Sequence, residues 1–138
     1  MKSLFVDTNI VPDLLAHRMP YYTDAAKLFS LADRKEIKLS VSALCLADIN
    51  YILSKQNLEM DVRGILRKFK VLVDVLPFDD KIIDLALNSE FRDFEDAIQY
   101  FTAIENEQDL IITRNQPDFK ESKIPVMNAG EFIKTIKK

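Results

Sequence analysis

Lys2-Ser3-Leu4-Phe5-Val6-Asp7-Thr8-Asn9 is the stretch on which the fold turns. Residues 2–6 read as a short strand buried on both faces, because an apolar run of this length leaves no polar side for solvent. The run stops at a carboxylate, and beyond Asn9 the pattern becomes a short helix reaching Leu14 and Leu15. A buried strand that hands over directly to a helix opens a βαβ unit.

The same alternation continues outward. Pro20 starts a helical pattern in which Ala25, Ala26, Leu28, Phe29 and Ala32 recur at three- and four-residue steps. Further strands are expected at residues 36–41, 71–76 and 110–113, with a short edge strand at 124–127, where Pro125 is tolerated. Helices are expected from 43 to about 54 behind Ser42 as N-cap, from 57 or 58 to about 70, from 79 or 80 to 87, and from 94 to about 106 behind Asp93. A last helix contains Phe132 and Ile136. Strands separated by helices imply an α/β fold with a central parallel sheet of four or five strands, and ligands bind such sheets outside the carboxyl ends of the strands.

The bulk composition narrows the function classes. At 138 residues, 48% hydrophobic and 30% charged, residues 1–138 are expected to form one globular domain. A charge after only three apolar residues at the start argues against a signal or transit peptide, so cytoplasmic residence without a membrane is the expectation. Two glycines leave no glycine-rich phosphate loop or dinucleotide fingerprint. The single cysteine, Cys45, lies between leucines and reads as a small buried hydrophobe. His17, the only histidine, falls at the end of a short helix and fits no triad or zinc spacing. A net charge of −3 rules out a generally basic nucleic-acid coat.

What remains is a set of acids at strand ends and helix starts. Asp7 directly follows the first strand; its competing reading is a helix N-cap. Asp48 shares a stripe with Leu44 and Ile52 on a helix that is apolar almost all round, and a half-buried carboxylate there needs a metal, a cation, hydrogen bonds or a proton. Helical spacing puts Asp96 on the face of Tyr100 and Ala103, while Glu95, Gln99 and Thr102 fall on the polar side. Asp93 and Glu95 are explained by the helix dipole. Asn115 and Asp118 follow the strand at 110–113 within Asn-Gln-Pro-Asp, which equally suits a turn. Acids that converge on one edge repel one another unless a cation neutralises them, and Mg²⁺ or Mn²⁺ fits an all-oxygen donor set. Metal-assisted phosphodiester hydrolysis is the reaction class this suggests.

Val6-Asp7-Thr8-Asn9-Ile10 with Asp13, Asp93-Phe94-Glu95-Asp96-Ala97-Ile98-Gln99, and Ile112-Thr113-Arg114-Asn115 with Asp118-Phe119 together resemble the motifs of PIN domains, most closely the VapC-type toxins of bacterial toxin-antitoxin pairs. The resemblance implies a three-layer α/β/α fold, a Mg²⁺ or Mn²⁺ site, ribonuclease activity, homodimerisation and inhibition by an antitoxin. By position, Asp7 and Asp96 match the family's first and third acids, and Asn9 and Thr113 match polar residues bordering the site. Asp48 stands where the family usually has glutamate, and Asn115 where aspartate is common, with Asp118 close by. The expected enzyme is therefore a ribonuclease using Asp7, Asp48, Asp96 and Asn115 or Asp118. The alternative is a degenerate domain that binds RNA or a protein without cutting. A phosphoryl-transfer domain with Asp7 as nucleophile ranks below both, since Asn9 stands where a second aspartate is wanted. Arg114, and less so the cluster Arg63, Arg67, Lys68 and Lys70, are candidates for RNA contact.

Overall fold

A computed structural model describes residues 1–56 and 59–136. Five strands form one sheet: β1 (Ser3–Val6), β2 (Lys38–Ser42), β3 (Asp74–Leu76), β4 (Leu110–Ile112) and β5 (Val126–Met127). Every pairing is parallel, and the spatial order is β3-β2-β1-β4-β5. Seven α-helices among the described residues connect them: α1 (Ile10–Leu15), α2 (Tyr22–Asp33), α3 (Ala43–Gln56), α4 (Val62–Phe69), α5 (Asp80–Leu87), α6 (Phe94–Glu105) and α7 (Ala129–Ile136).

Strand alternation divides the core into layers. Leu4, Val6, Leu39, Val41, Leu110 and Ile112 point to one face, where they meet Ile10 and Val11 of α1, Leu28 of α2, Ile49 and Leu53 of α3, Phe69 of α4 and Phe132 of α7. Phe5 and Ile111 point to the other face and pack on Tyr100 and Ala103 of α6 and on Phe119. Behind α6, Ala97 and Ile98 seal against Ile82 and Ala86 of α5. With helices on both sides, the expected three-layer α/β/α arrangement is what the chain adopts.

Short side chains set the helix starts. Ser42 Oγ accepts from Cys45 N at 3.1 Å, Asp79 from Ile82 N at 3.2 Å and Asp93 from Asp96 N at 3.0 Å, the caps read from the sequence. Several boundaries shift, β2 to Lys38–Ser42 from 36–41, the edge strand to Val126–Met127 from 124–127 and the second helix to a start at Tyr22, and two others differ more. The helix expected from residue 57 or 58 is α4, which begins only at Val62, where Asp61 caps Gly64 N at 3.1 Å; residues 57 and 58 themselves lie outside the described residues. The strand expected at 71–76 shrinks to Asp74–Leu76, because the amides of Val71 and Leu72 are spent closing a turn onto Lys68 and Phe69.

Strand order decides where a site can form. The chain runs outward from β1 through β2 to β3, then returns to the other side of β1 with β4 and β5. Neighbouring connections therefore leave the sheet in opposite directions between β1 and β4, and the gap at their carboxyl ends is the switch point where ligands bind in such sheets.

Candidate functional site

Asp7 occupies that gap. It is 4% exposed, and its backbone amide continues the β1–β4 ladder by donating to Ile112 O at 2.9 Å. Its carboxylate is not a helix cap: Oδ1 accepts from Thr8 N at 2.8 Å and Oδ2 from Thr113 Oγ1 at 2.7 Å, a bond that ties the end of β1 to the end of β4. Thr113 is held in turn by Asn115, whose backbone amide donates to the same Oγ1 at 3.0 Å. Burial pushes the Asp7 carboxyl above its ordinary value; the bonds from Thr113 and Thr8 pull the other way, and Asp118 adds to the rise.

Asp7, Thr8, Asn9, Asp48, Tyr51, Asp93, Glu95, Asp96 and Gln99 line one cleft. The expected acids Asp7, Asp48 and Asp96 thus share one place, as does Asn9, which precedes α1 yet makes no side-chain cap bond. Asp96 is pushed up to about 7 by its own burial and by the charges of Asp93, Asp7 and Asp118. Glu95 rises to about 7 mainly through its hydrogen bond to Asp48, with burial and neighbouring carboxylates adding to it. Asp118, on a 3₁₀ turn (Gln116–Phe119), lines an adjoining hollow that shares Asp93 and Asp96 with the cleft. Of the two residues expected to complete the site, Asp118 brings charge toward Asp7 and Asp96, whereas Asn115 acts through its backbone on Thr113.

Three expectations need correction. Gln99 and Thr102 do not lie on a polar side: Gln99 is 2% exposed and donates from Nε2 to Thr8 Oγ1 at 2.7 Å, and Thr102 is fully buried with its hydroxyl on Ile98 O. Helix α6 is covered by the sheet on one flank and by α5 on another, so it has no single buried stripe. Glu95, assigned to the helix dipole, is part of the cleft. Arg114, expected as an RNA contact, is engaged within the protein: its guanidinium grips Asp13 through Nε at 2.7 Å and Nη2 at 3.1 Å and stacks on Tyr21 with Cζ 3.9 Å from the ring centroid.

Could these residues hold a divalent cation? Their chemistry fits: the donors are oxygens and most are carboxyls. Their spacing fits only in part. Among the described residues, no three acidic, histidine or cysteine side chains gather closely enough to hold an ion by themselves. Asp7, Asp48 and Asp96 therefore do not close on one cation by themselves, and a bridging water of the kind expected for Asp48 would be needed to complete a shell, which suits Mg²⁺.

Elsewhere the chemistry is thin. Cys45 is fully buried, its thiol pushed up to about 12 by burial, and so is inert. Arg67 and Lys68 line a separate surface hollow with Asp61, away from the acids. A cavity of about 570 Å³ between α2 and α7 is lined by Ala26, Leu31, Ile133 and Ile136 and lacks converging carboxylates, so no reaction is assigned to it. No helix among the described residues is long and apolar enough to cross a membrane.

The family model for the PIN domain matches residues 3–117, most of the chain, including Asp7, Asp48 and Asp96 but ending one residue short of Asp118. The chain belongs to the PIN-domain family. No curated protein matches it. Among solved structures, it resembles a toxin-antitoxin complex from Klebsiella pneumoniae at 23% identity, with 93% of this chain and 98% of that one covered and a TM-score of 0.68. VapBC2 from Rickettsia felis, bound to a DNA fragment of its promoter, aligns at 22% identity over 91% of this chain and 97% of that one, TM-score 0.65. VapC20 from Mycobacterium tuberculosis, described as cleaving the sarcin-ricin loop, aligns at 16% identity over 78% and 86%, TM-score 0.62. At these identities the likeness is one of fold. PIN domains of the VapC type are typically nucleases, and such nucleases generally use divalent metals.

Proposed function

We propose that this PIN domain is a Mg²⁺- or Mn²⁺-dependent endoribonuclease and the toxin of a toxin-antitoxin pair. The observation that carries the reading is Asp7 at the β1–β4 switch point, fixed by Thr113 and Thr8 and sharing an acidic cleft with Asp96. Asp7 and Asp96 would hold the metal, Asp48 would assist directly or through water, and Asn115 or Asp118 would complete the shell. A cation bound there supplies an activated water and stabilises charge at the phosphorus. Thr113 fixes the orientation of the Asp7 carboxyl, and Gln99, by bonding Thr8, fixes the turn from which Asp7 projects. An antitoxin partner and a homodimer belong to the same reading, the former supported by neighbours that are themselves toxin-antitoxin complexes.

The test is cleavage of single-stranded RNA with Mg²⁺ or Mn²⁺ by the protein and by Asp7→Asn and Asp96→Asn; cutting that survives in both variants refutes the assignment. A second reading, a degenerate domain that binds RNA or protein without cutting, is favoured by the aspartate at position 48 and by the loose spacing of the acids. Calorimetry with Mn²⁺ separates the two, since a binding-only module takes up no metal through Asp7 and Asp96.

A further inference from the structure

Tyr51 is 61% exposed and lines the acidic cleft. Isolated exposed tyrosines are ordinary. This one follows Asp48 by three residues and precedes Lys55 by four, which puts all three on one face of α3. Lys55 Nζ lies 4.8 Å from the centroid of the Tyr51 ring. Carboxylate, ring and ammonium therefore follow one another over roughly 10 Å of helix, from the cleft toward the rim.

A strand of nucleic acid presents a phosphate to be cut, a flat base beside it and a further phosphate beyond. We propose that Tyr51 is a stacking platform for the base next to the scissile phosphate and that Lys55 meets the adjoining backbone, so that the cleft selects single-stranded RNA. This deepens the ribonuclease reading and rests on it. In a duplex, base faces are already stacked on their neighbours, whereas an unpaired base offers its face to an aromatic ring. A cation beside the ring also offsets the repulsion that the acids of the cleft exert on phosphate.

The chain has no tryptophan, so Tyr51→Trp introduces a single tryptophan, selectively excited at the red edge of the absorption, at the platform. In an Asp96→Asn background, the fluorescence of this variant is expected to be quenched saturably by a short oligouridylate and not by the same strand annealed to its complement. Tyr51→Ala is expected to lower kcat/KM on the oligouridylate by about tenfold or more, the loss of one stacked base. Tyr51→Phe should stay within about twofold of the parent, since the π-face is kept. Phe94→Ala serves as control, because Phe94 is 45% exposed but does not line the cleft. Parent-like cleavage by Tyr51→Ala together with an unquenched tryptophan overturns the platform while leaving the nuclease reading intact. Quenching in a protein whose parent cuts nothing supports the platform and defeats the nuclease reading. An unquenched tryptophan with a changed elution volume for Tyr51→Ala would make Tyr51 a contact between protein chains and also overturn the proposal.

Discussion

Replacing Arg114 by alanine tests how the structure disposes of the guanidinium that follows Thr113. Its partner, Asp13, is fully buried, and the pair is bidentate at 2.7 and 3.1 Å. The Arg114 side chain is itself only 24% exposed and stacks on Tyr21. Removing it leaves a buried carboxylate with no cation, a change that costs about 3–5 kcal/mol. Because a quarter of the arginine already reaches solvent, water can enter the vacated space, and the lower end, about 3 kcal/mol, is the expected loss. For a chain of 138 residues that corresponds to a Tm lower by about 10 °C. Urea unfolding followed by circular dichroism measures it, with an unchanged m-value confirming that stability alone has moved. The double variant Asp13→Leu with Arg114→Met should recover at least about 2 kcal/mol, since it removes the stranded charge as well as its partner. A loss below about 1 kcal/mol, or a double variant no better than the single one, would refute the reasoning. Undiminished stability with impaired RNA cleavage would return Arg114 to the role of an RNA contact.

Two further outcomes follow from the electrostatics of the cleft. Asp7, Glu95 and Asp96 all sit above their ordinary values, the latter two at about 7, so between about pH 4 and pH 7 the folded chain binds more protons than the unfolded one. Stability without divalent ions should then fall as pH rises through that window, and Asp96→Asn should flatten the slope; a Tm that climbs from about pH 5 to pH 8 contradicts this. The helix caps should respond unequally. Asp79→Ala is expected to cost about 1 kcal/mol, whereas Asp93→Ala, measured by the same denaturation near pH 8, should cost less, because it also removes a charge pressing on Glu95 and Asp96.

Much of the fold was legible because its strands are short apolar runs with no solvent side, and because serine and aspartate mark the helix starts. The acids Asp7, Asp48 and Asp96 could be singled out for a related reason: each stood at a strand end or on an apolar stripe, where charge is costly. What escaped the sequence depended on the third dimension. A reading of α6 as a helix with one buried stripe put Gln99 and Thr102 in solvent, yet α6 is wedged between the sheet and α5. Glu95 was placed on the polar side correctly, but at the start of this helix the polar side is the cleft. Thr113 and Arg114 are consecutive, so at the end of a strand they point opposite ways, one to Asp7 and the other to Asp13; adjacency along the chain suggested a shared task that the pleat forbids.

The bond from Thr113 to Asp7 spans 106 positions of the chain. Closing so long a loop costs about 4 kcal/mol of chain entropy before any contact repays it. As the chain is made, β1 can acquire β2 early, but its other edge stays bare until β4 has emerged, more than a hundred residues later. The acidic cleft is therefore a late product of folding: a chain interrupted before β4 carries Asp7, Asp48 and Asp96 without the switch point that brings them to bear on one another.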